Sequence, residues 1–289
     1  MRVGMTLGLL RVLRSSFCPV RSSNVVWSHA LHLASTQAQQ KPAEHNAENQ
    51  EGSQGHSTEH LQRAMTASLK HDDYFRISEL FTLKQLFEAR VHLGHKSTCR
   101  NRFMKPYLFG SRLGQDIIDL EYTAKLLRTA LSFTAHVTFR KGCVLFVTAS
   151  RQHGHMVELA AKACGQYACA RPWQGGLLTN AEVQLNAEGT LSLPSLLIFF
   201  GTLNNVFELH TALSEAVQLC IPVVGIVDTN CDPSLVTYPV PANDDSHSSI
   251  SLFCDLFCQA ANRGKARRKQ LQAVFGGSQT HPSTSELNA

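Results

Sequence analysis

Three short, unbroken apolar runs constrain this chain more than any other feature: Cys143–Val147 (CVLFV), Ser195–Phe200 (SLLIFF) and Pro222–Val227 (PVVGIV). Runs of this kind suit strands that are covered on both faces. Between them, apolar residues recur at helical spacing from about His155 to Cys164 and from Phe207 to Leu219, and a further helix is expected from about Ser246 to Ala261. A short strand is expected near Ala168–Ala170. Another at Val236–Val240 reads as an edge, because Pro239 could not donate in the middle of a sheet. Strands alternating with helices of this length need crossover connections, which imply a parallel sheet with helices on both faces. The expected architecture is therefore α/β, a flavodoxin-like three-layer fold with a five-stranded parallel sheet.

Upstream, Ser78–Arg140 reads as a helical and strand extension of that core. The segment from Phe81 to Leu86 (FTLKQL) has the form of a helix start. Thr82 can cap the amide of Gln85, Gln85 can answer, and Phe81 can pack on Leu86. This helix is expected to run to about Val91 and to be ended by Gly94. A longer one is expected over Glu121–Phe139, with Leu126, Leu127, Ala130, Leu131, Phe133 and Val137 forming its stripe.

The flanks are different in kind. From Met1 to Ala43 the chain carries Arg2, Arg11, Arg14, Arg21 and Lys41 and no acid, so the formal net charge of +5 is largely a property of this end. An Arg-, Ser- and Leu-rich start without a long apolar core has the composition of a mitochondrial presequence, placed here at residues 1–35, with a disordered basic tail as the alternative. Residues 37–60 offer almost no large apolar side chain to offset the entropy of ordering, so residues 36–75 are expected to be a disordered linker. The folded domain is placed at 78–262. Residues 263–289 open with RGKARRK and are expected to form a basic, then polar, mobile tail. No run approaches the ~18 apolar residues of a membrane span, and no membrane partner is expected. The nine cysteines include no C-x-x-C pair, which argues for reduced, buried thiols rather than a zinc ribbon or redox site.

Four motifs carry chemistry. The first is EARVHLGH (Glu88–His95) continuing to MKPYLFG (Met104–Gly110); the second is WQGGLLTN (Trp173–Asn180). The third is IPVVGIVDTNCDP (Ile221–Pro233) and the fourth PANDD (Pro241–Asp245). Gly175 and Gly176 allow a tight turn after the Trp173 anchor. Asp228, Asn230 and Asp232 follow a buried strand at its carboxyl end. There they either staple their own loop or form a phosphate or magnesium site of the kind open α/β sheets place at that edge. His92, His95 and Cys99 have metal-like spacing but no fourth ligand, and neither a metal nor another cofactor is expected.

Together and in this order, the motifs resemble the small-subunit ribosomal protein two family, over about Leu83 to Arg263. The resemblance implies a structural, RNA-associated role in the small subunit of the mitochondrial ribosome, between its head and body. It also implies structural or RNA-facing positions for His92, Gly94, His95, Trp173, Gly175, Gly176, Asn180, Asp228, Asn230 and Asp232. Three departures stand out. Pro172 precedes Trp173 where the family has arginine, leaving Arg171 one place early, and Gly201 stands where an acid is usual. Only residues 181–193 separate the LTN string from Pro194, too few for the coiled-coil hairpin of bacterial relatives, which is expected to be absent.

For RNA itself, the basic run around Lys96, Arg100, Arg102, Lys105 and Arg112 has no acid between Ala89 and Gln115 and is interleaved with Phe103 and Tyr107. Such a loop suits phosphate contact with occasional base stacking. Lys141, Arg151 and Arg171 are further candidates. The expected partners are small-subunit rRNA and neighbouring mitochondrial ribosomal proteins in the matrix, without an obligate homo-oligomer and without catalysis. The competing readings are a phosphate- or nucleotide-binding α/β enzyme and an organellar protein-only adaptor.

Overall fold

The computed structural model describes residues 66–71, 73–184, 192–204 and 208–276. The presequence expectation, most of the linker and the end of the tail lie outside these residues. In chain order the elements begin with helix α1 (Leu83–Glu88), strands β1 (Leu93–Lys96), β2 (Leu108–Arg112) and β3 (Gln115–Ile118), and helix α2 (Leu120–Phe139). There follow β4 (Val144–Val147), α3 (Gly154–Ala163), β5 (Tyr167–Cys169) and α4 (Ala181–Gln184). The series closes with β6 (Leu196–Phe199), α5 (Thr211–Gln218), β7 (Val223–Val227), β8 (Tyr238–Pro241) and α6 (His247–Gly276).

The main sheet is wholly parallel, in the order β5-β4-β6-β7-β8, with the proline-bearing β8 at an edge. That is the flavodoxin-like order expected from the alternation of buried strands and helices. Alternate strand residues feed two cores. Val144, Phe146, Ile198 and Ile226 pack with Leu127 and Leu131 of α2, Val157 of α3 and Phe253 and Phe257 of α6. Leu145, Val147, Leu197, Phe199 and Val227 pack with Ala212, Leu213 and Ala216 of α5 and with Met104 and Leu178. A smaller antiparallel sheet, β1-β3-β2, forms the extension. In the second core Cys231 is buried, and burial pushes its thiol up to about 12, as an inert small hydrophobe requires.

The capping box at the start of α1 forms: Gln85 N–H donates to Thr82 Oγ1 (3.4 Å), and Thr82 N–H donates to Gln85 Oε1 (2.9 Å). The end of α1 differs from expectation. The helix stops at Glu88, and Arg90, not Gly94, takes the left-handed position, at φ 61°. Val91 N–H then donates to Leu86 O and Arg90 N–H to Phe87 O, the paired bonds that close a helix after a left-handed residue. Gly94 lies inside β1 instead.

Two boundaries move. Phe75 is buried and packs edge-on to His136 and Phe139, so the fold starts before Ser78. The RGKARRK segment is not a free tail but part of α6. Arg268 donates to Phe139 O (2.7 Å) at the end of α2. Lys265 donates to Cys164 O (2.6 Å) and Gly165 O (3.0 Å) just past α3. Both cations cap helix C-termini, where carbonyls lack partners and the dipole favours positive charge. Arg263 reaches Phe75 O and Arg76 O, and Arg267 lies over the Tyr74 ring. The charge run shows no sign of these contacts in sequence because the backbone carbonyls it meets lie 100 to 188 residues away.

Candidate nucleic-acid interface

The carboxyl ends of β4, β5, β6 and β7 converge on one edge of the sheet, and the small sheet is fastened there. Asp228 and Thr229 are fully buried beyond β7. Thr229 N–H donates to Asp228 Oδ1 (2.5 Å), and Cys231 N–H to Asp228 O (3.0 Å). Further along, Asp232 Oδ1 accepts from Ser234 N–H (2.9 Å) and Oγ (2.6 Å). These are the loop-stapling contacts that the DTNCDP string allows. The same loop holds the extension: His95 N–H donates to Thr229 Oγ1 (2.9 Å) and Asn101 N–H to Thr229 O (2.8 Å). A Cβ at Gly94 would lie 2.4 Å from Thr229 Cγ2, so the seam closes only around a glycine. Asn243 completes the join, taking N–H bonds from Asp245 and Ser246 while its own amide donates to Arg90 O.

The histidines of the first motif part company. His92 stacks on Phe87 at 4.5 Å between ring centroids, and burial pushes its pKa down. His95 turns to the β7 loop, with Nδ1 3.0 Å from Asp228 Oδ2 and Nε2 3.3 Å from Asp245 Oδ2. The Asp228 contact outweighs burial and pushes the His95 imidazole up to about 9. Burial first, and then the neighbouring Asp228 and Asp245, push the Asp244 carboxyl up. Cys99 is half-buried and does not join His92 or His95. Among the described residues, ligand-capable side chains gather instead as His95, Asp228 and Asp244.

Beyond β5, on the side of the sheet covered by α5, Trp173 and the turn after it are held by one carboxylate. Glu215 of α5 is 7% exposed. Its Oε1 accepts from Gly176 N–H (2.6 Å) and Trp173 Nε1–H (3.3 Å), and its Oε2 from Leu178 N–H (3.0 Å). Gly176 makes the expected turn at φ 85°, and Asn180 opens α4, its C=O accepting from Gln184 N–H. Sequence reading missed Glu215, although a charge on the apolar stripe Ala212-Leu213-Ala216 was a legible sign.

The basic run is divided by the structure. Lys96, Arg102, Lys105 and Arg112 are exposed, and so are Phe103 and Phe109. Lys96 and Arg112 both pair in register with Gln115, so they flank it in one row across the small sheet. Arg100 is not among them. Its Nε donates to Asp116 Oδ2 (2.7 Å) and its Nη2 to Oδ1, and Asp116 is fully buried. Contrary to the acid-free run expected around it, Arg100 has a neutralising acid, one position past the end of that run. Asp116 sits at an inward position of β3, beside Ile118, a sign that could have been read. Tyr107 packs against the second core, leaving Phe103 and Phe109 as the exposed rings of the run. Arg151 and Arg171 follow β4 and β5 at the same carboxyl edge, whereas Lys141 precedes β4 at the opposite edge.

The fold and this edge define a class: a flavodoxin-like scaffold whose buried carboxylates staple loops and whose exposed cations line one side. Comparison of the sequence gives the family. The model for ribosomal protein S2 matches residues 86–189 and 186–264, and the chain belongs to the ribosomal protein S2 family. It is 55% identical to small ribosomal subunit protein uS2m of Bos taurus over 224 residues, 76% of each chain. It is 37% identical to small ribosomal subunit protein uS2 of Bartonella tribocorum over 239 residues, 69% of this chain and 88% of that one. The Rhizobium rhizogenes uS2 is 36% identical over 225 residues, 65% of this chain and 88% of its own. The family is one of ribosomal proteins rather than enzymes, which removes the enzymatic reading of Asp228 and Asp232. Among the described residues no helix is long and apolar enough to cross a membrane.

Proposed function

We propose that this chain is a structural constituent of the mitochondrial small ribosomal subunit. It binds small-subunit rRNA through its basic carboxyl edge and contacts neighbouring ribosomal proteins in the matrix. The observation that carries this reading is the 55% identity with bovine uS2m across 76% of both chains. The exposed row of Lys96 and Arg112, and the exposed Arg102, Phe103 and Lys105 that precede β2 in the chain, support phosphate contact and stacking. Arg151 and Arg171 extend that surface. Lys141 lies across the sheet from it, and Arg100 serves to hold Asp116. Phe109 and Leu113, exposed on the β2–β3 hairpin, suit an apolar contact with a ribosomal neighbour. The chain enters as a single copy and carries its import signal within residues 1–35.

Arg102, Lys105 and Arg112 changed together to Gln test the RNA surface. Each phosphate contact releases counterions, so the salt slope of RNA association should fall by roughly two to three units, and subunit incorporation with it. An unchanged slope with normal incorporation would place the RNA surface elsewhere.

A further inference from the structure

We propose that the amino edge of the main sheet is a second RNA surface, which holds rRNA phosphates on the side opposite the carboxyl edge. This rests on the rRNA-binding reading above and adds a separate place of contact to it. Helices α2 and α3 end at this edge, just before β4 and β5, and the last part of α6 reaches both ends. Two helix C-termini leave carbonyls without partners and a negative field, so cations are needed there for capping alone. Lys265 and Arg268 supply them, on Cys164 O, Gly165 O and Phe139 O. The edge carries more positive charge than that. Arg140 and Lys141 follow α2, and Lys162 lies in the last turn of α3. Lys269 lies one turn beyond Lys265 on the same side of α6. All four are exposed, and among the described residues none of their side chains makes an ion pair or a hydrogen bond.

An ordinary solvated surface mixes the two signs of charge, and this one does not. The chain has no Asp or Glu over residues 122–157, 159–181 or 256–285, which supply all of these cations. Glu158 is half-buried one turn before Lys162, and Asp255 lies roughly three turns of α6 before Lys265. Interfaces between proteins are depleted in lysine, so an uncompensated, lysine-rich group suits a polyanion better than a protein face. Tyr167, the first residue of β5, is 38% exposed at the same edge and offers a ring on which a base can stack. At ~3.3 Å per residue, strands of this length separate the two edges by roughly 15 Å, so the two sets of cations face different phosphates.

The test uses the full-length chain and small-subunit rRNA, with association measured across a range of salt. Three triple variants are compared, each checked for fold by circular dichroism. Lys141→Gln, Lys162→Gln and Lys269→Gln remove the amino-edge charges, and Arg102→Gln, Lys105→Gln and Arg112→Gln those of the carboxyl edge. Lys84→Gln, Lys125→Gln and Arg128→Gln on α1 and α2 remove the same charge elsewhere. Each phosphate contact contributes about 0.7–0.9 to the salt slope, so the amino-edge variant should lose roughly two to three units and the control less than about one. Its affinity at moderate salt should fall several-fold, and its incorporation into the small subunit with it. Independently of any substitution, rRNA carrying 4-thiouridine should cross-link, on irradiation, to the peptide that holds Tyr167. An amino-edge variant with an unchanged slope, a control that loses as much, or no cross-link at this edge would overturn the second surface. The rRNA reading itself would survive any of these so long as the carboxyl-edge variant loses its slope. An unchanged slope with poor incorporation would assign the edge to an acidic ribosomal protein and overturn the RNA surface as well. Failure of the unmodified chain to bind rRNA would overturn both.

Discussion

Removing the Glu215 carboxylate should cost more than any other single side-chain truncation near the Trp173 turn. Three donors converge on it, from Gly176, Leu178 and the Trp173 indole. Hydrogen bonds to a charged acceptor contribute on the order of 1.5–3 kcal/mol each, partly offset by the desolvation of the carboxylate itself. In Glu215→Ala the donors of a half-buried turn lose their shared acceptor, and a net loss of about 2–4 kcal/mol is expected. Glu215→Gln keeps one oxygen for Gly176 and Trp173 but turns an NH₂ toward Leu178 N–H, so it should lie between the two, at roughly 1–3 kcal/mol. The assay is urea denaturation followed by tryptophan fluorescence. The chain has two tryptophans, Trp27 and Trp173, so a Trp27→Phe background makes Trp173 the reporter. If Glu215 were an ordinary helix-surface acid, Glu215→Ala would change stability by no more than about 0.5 kcal/mol and leave Trp173 emission unmoved. That result would refute the account of the turn.

Other outcomes follow from the same contacts. Gly94→Ala should destabilise by on the order of 1–3 kcal/mol, because its Cβ would strike Thr229 Cγ2; Thr229→Ser, which removes that methyl but keeps the hydroxyl, should restore part of the loss in a double-mutant cycle. His210 accepts from Ala212 N–H at the start of α5, and burial pushes its pKa down to about 4, below the ~6.5 of an unfolded chain. Its contribution is therefore whole above about pH 6.5 and is lost as pH falls toward 4, and a His210→Asn variant should show a shallower loss of urea midpoint over that window. A profile unchanged by the substitution would contradict this. A reporter carrying residues 1–35 should reach the mitochondrial matrix, and a cytosolic or secreted reporter would contradict the presequence.

Sequence reading located what depends on local pattern. The buried strands, their parallel order and the α1 capping box are set by apolar runs and by residues three or four apart, and the structure has them. It misplaced what depends on distant partners. Gly94 reads as a helix stop because a glycine after an apolar helix usually is one, yet its role is to admit Thr229, 135 positions away in the chain. Arg100 looks free because its acid lies beyond a hairpin, in β3. Lys265 and Arg268 look solvated because a cation capping a remote helix leaves no local periodicity. The gathering of His95, Asp228 and Asp244 is equally invisible in sequence, since three separate segments supply it.

Sedimentation of the epitope-tagged, full-length chain from lysed mitochondria through a sucrose gradient, with and without ribonuclease, tests the central claim most directly. A constituent of the small subunit should travel with small-subunit rRNA and proteins, hold its place through moderate salt, and move to the top of the gradient once ribonuclease has degraded the rRNA. A chain that sediments apart from the small subunit, or whose position ribonuclease leaves unchanged, would contradict the account.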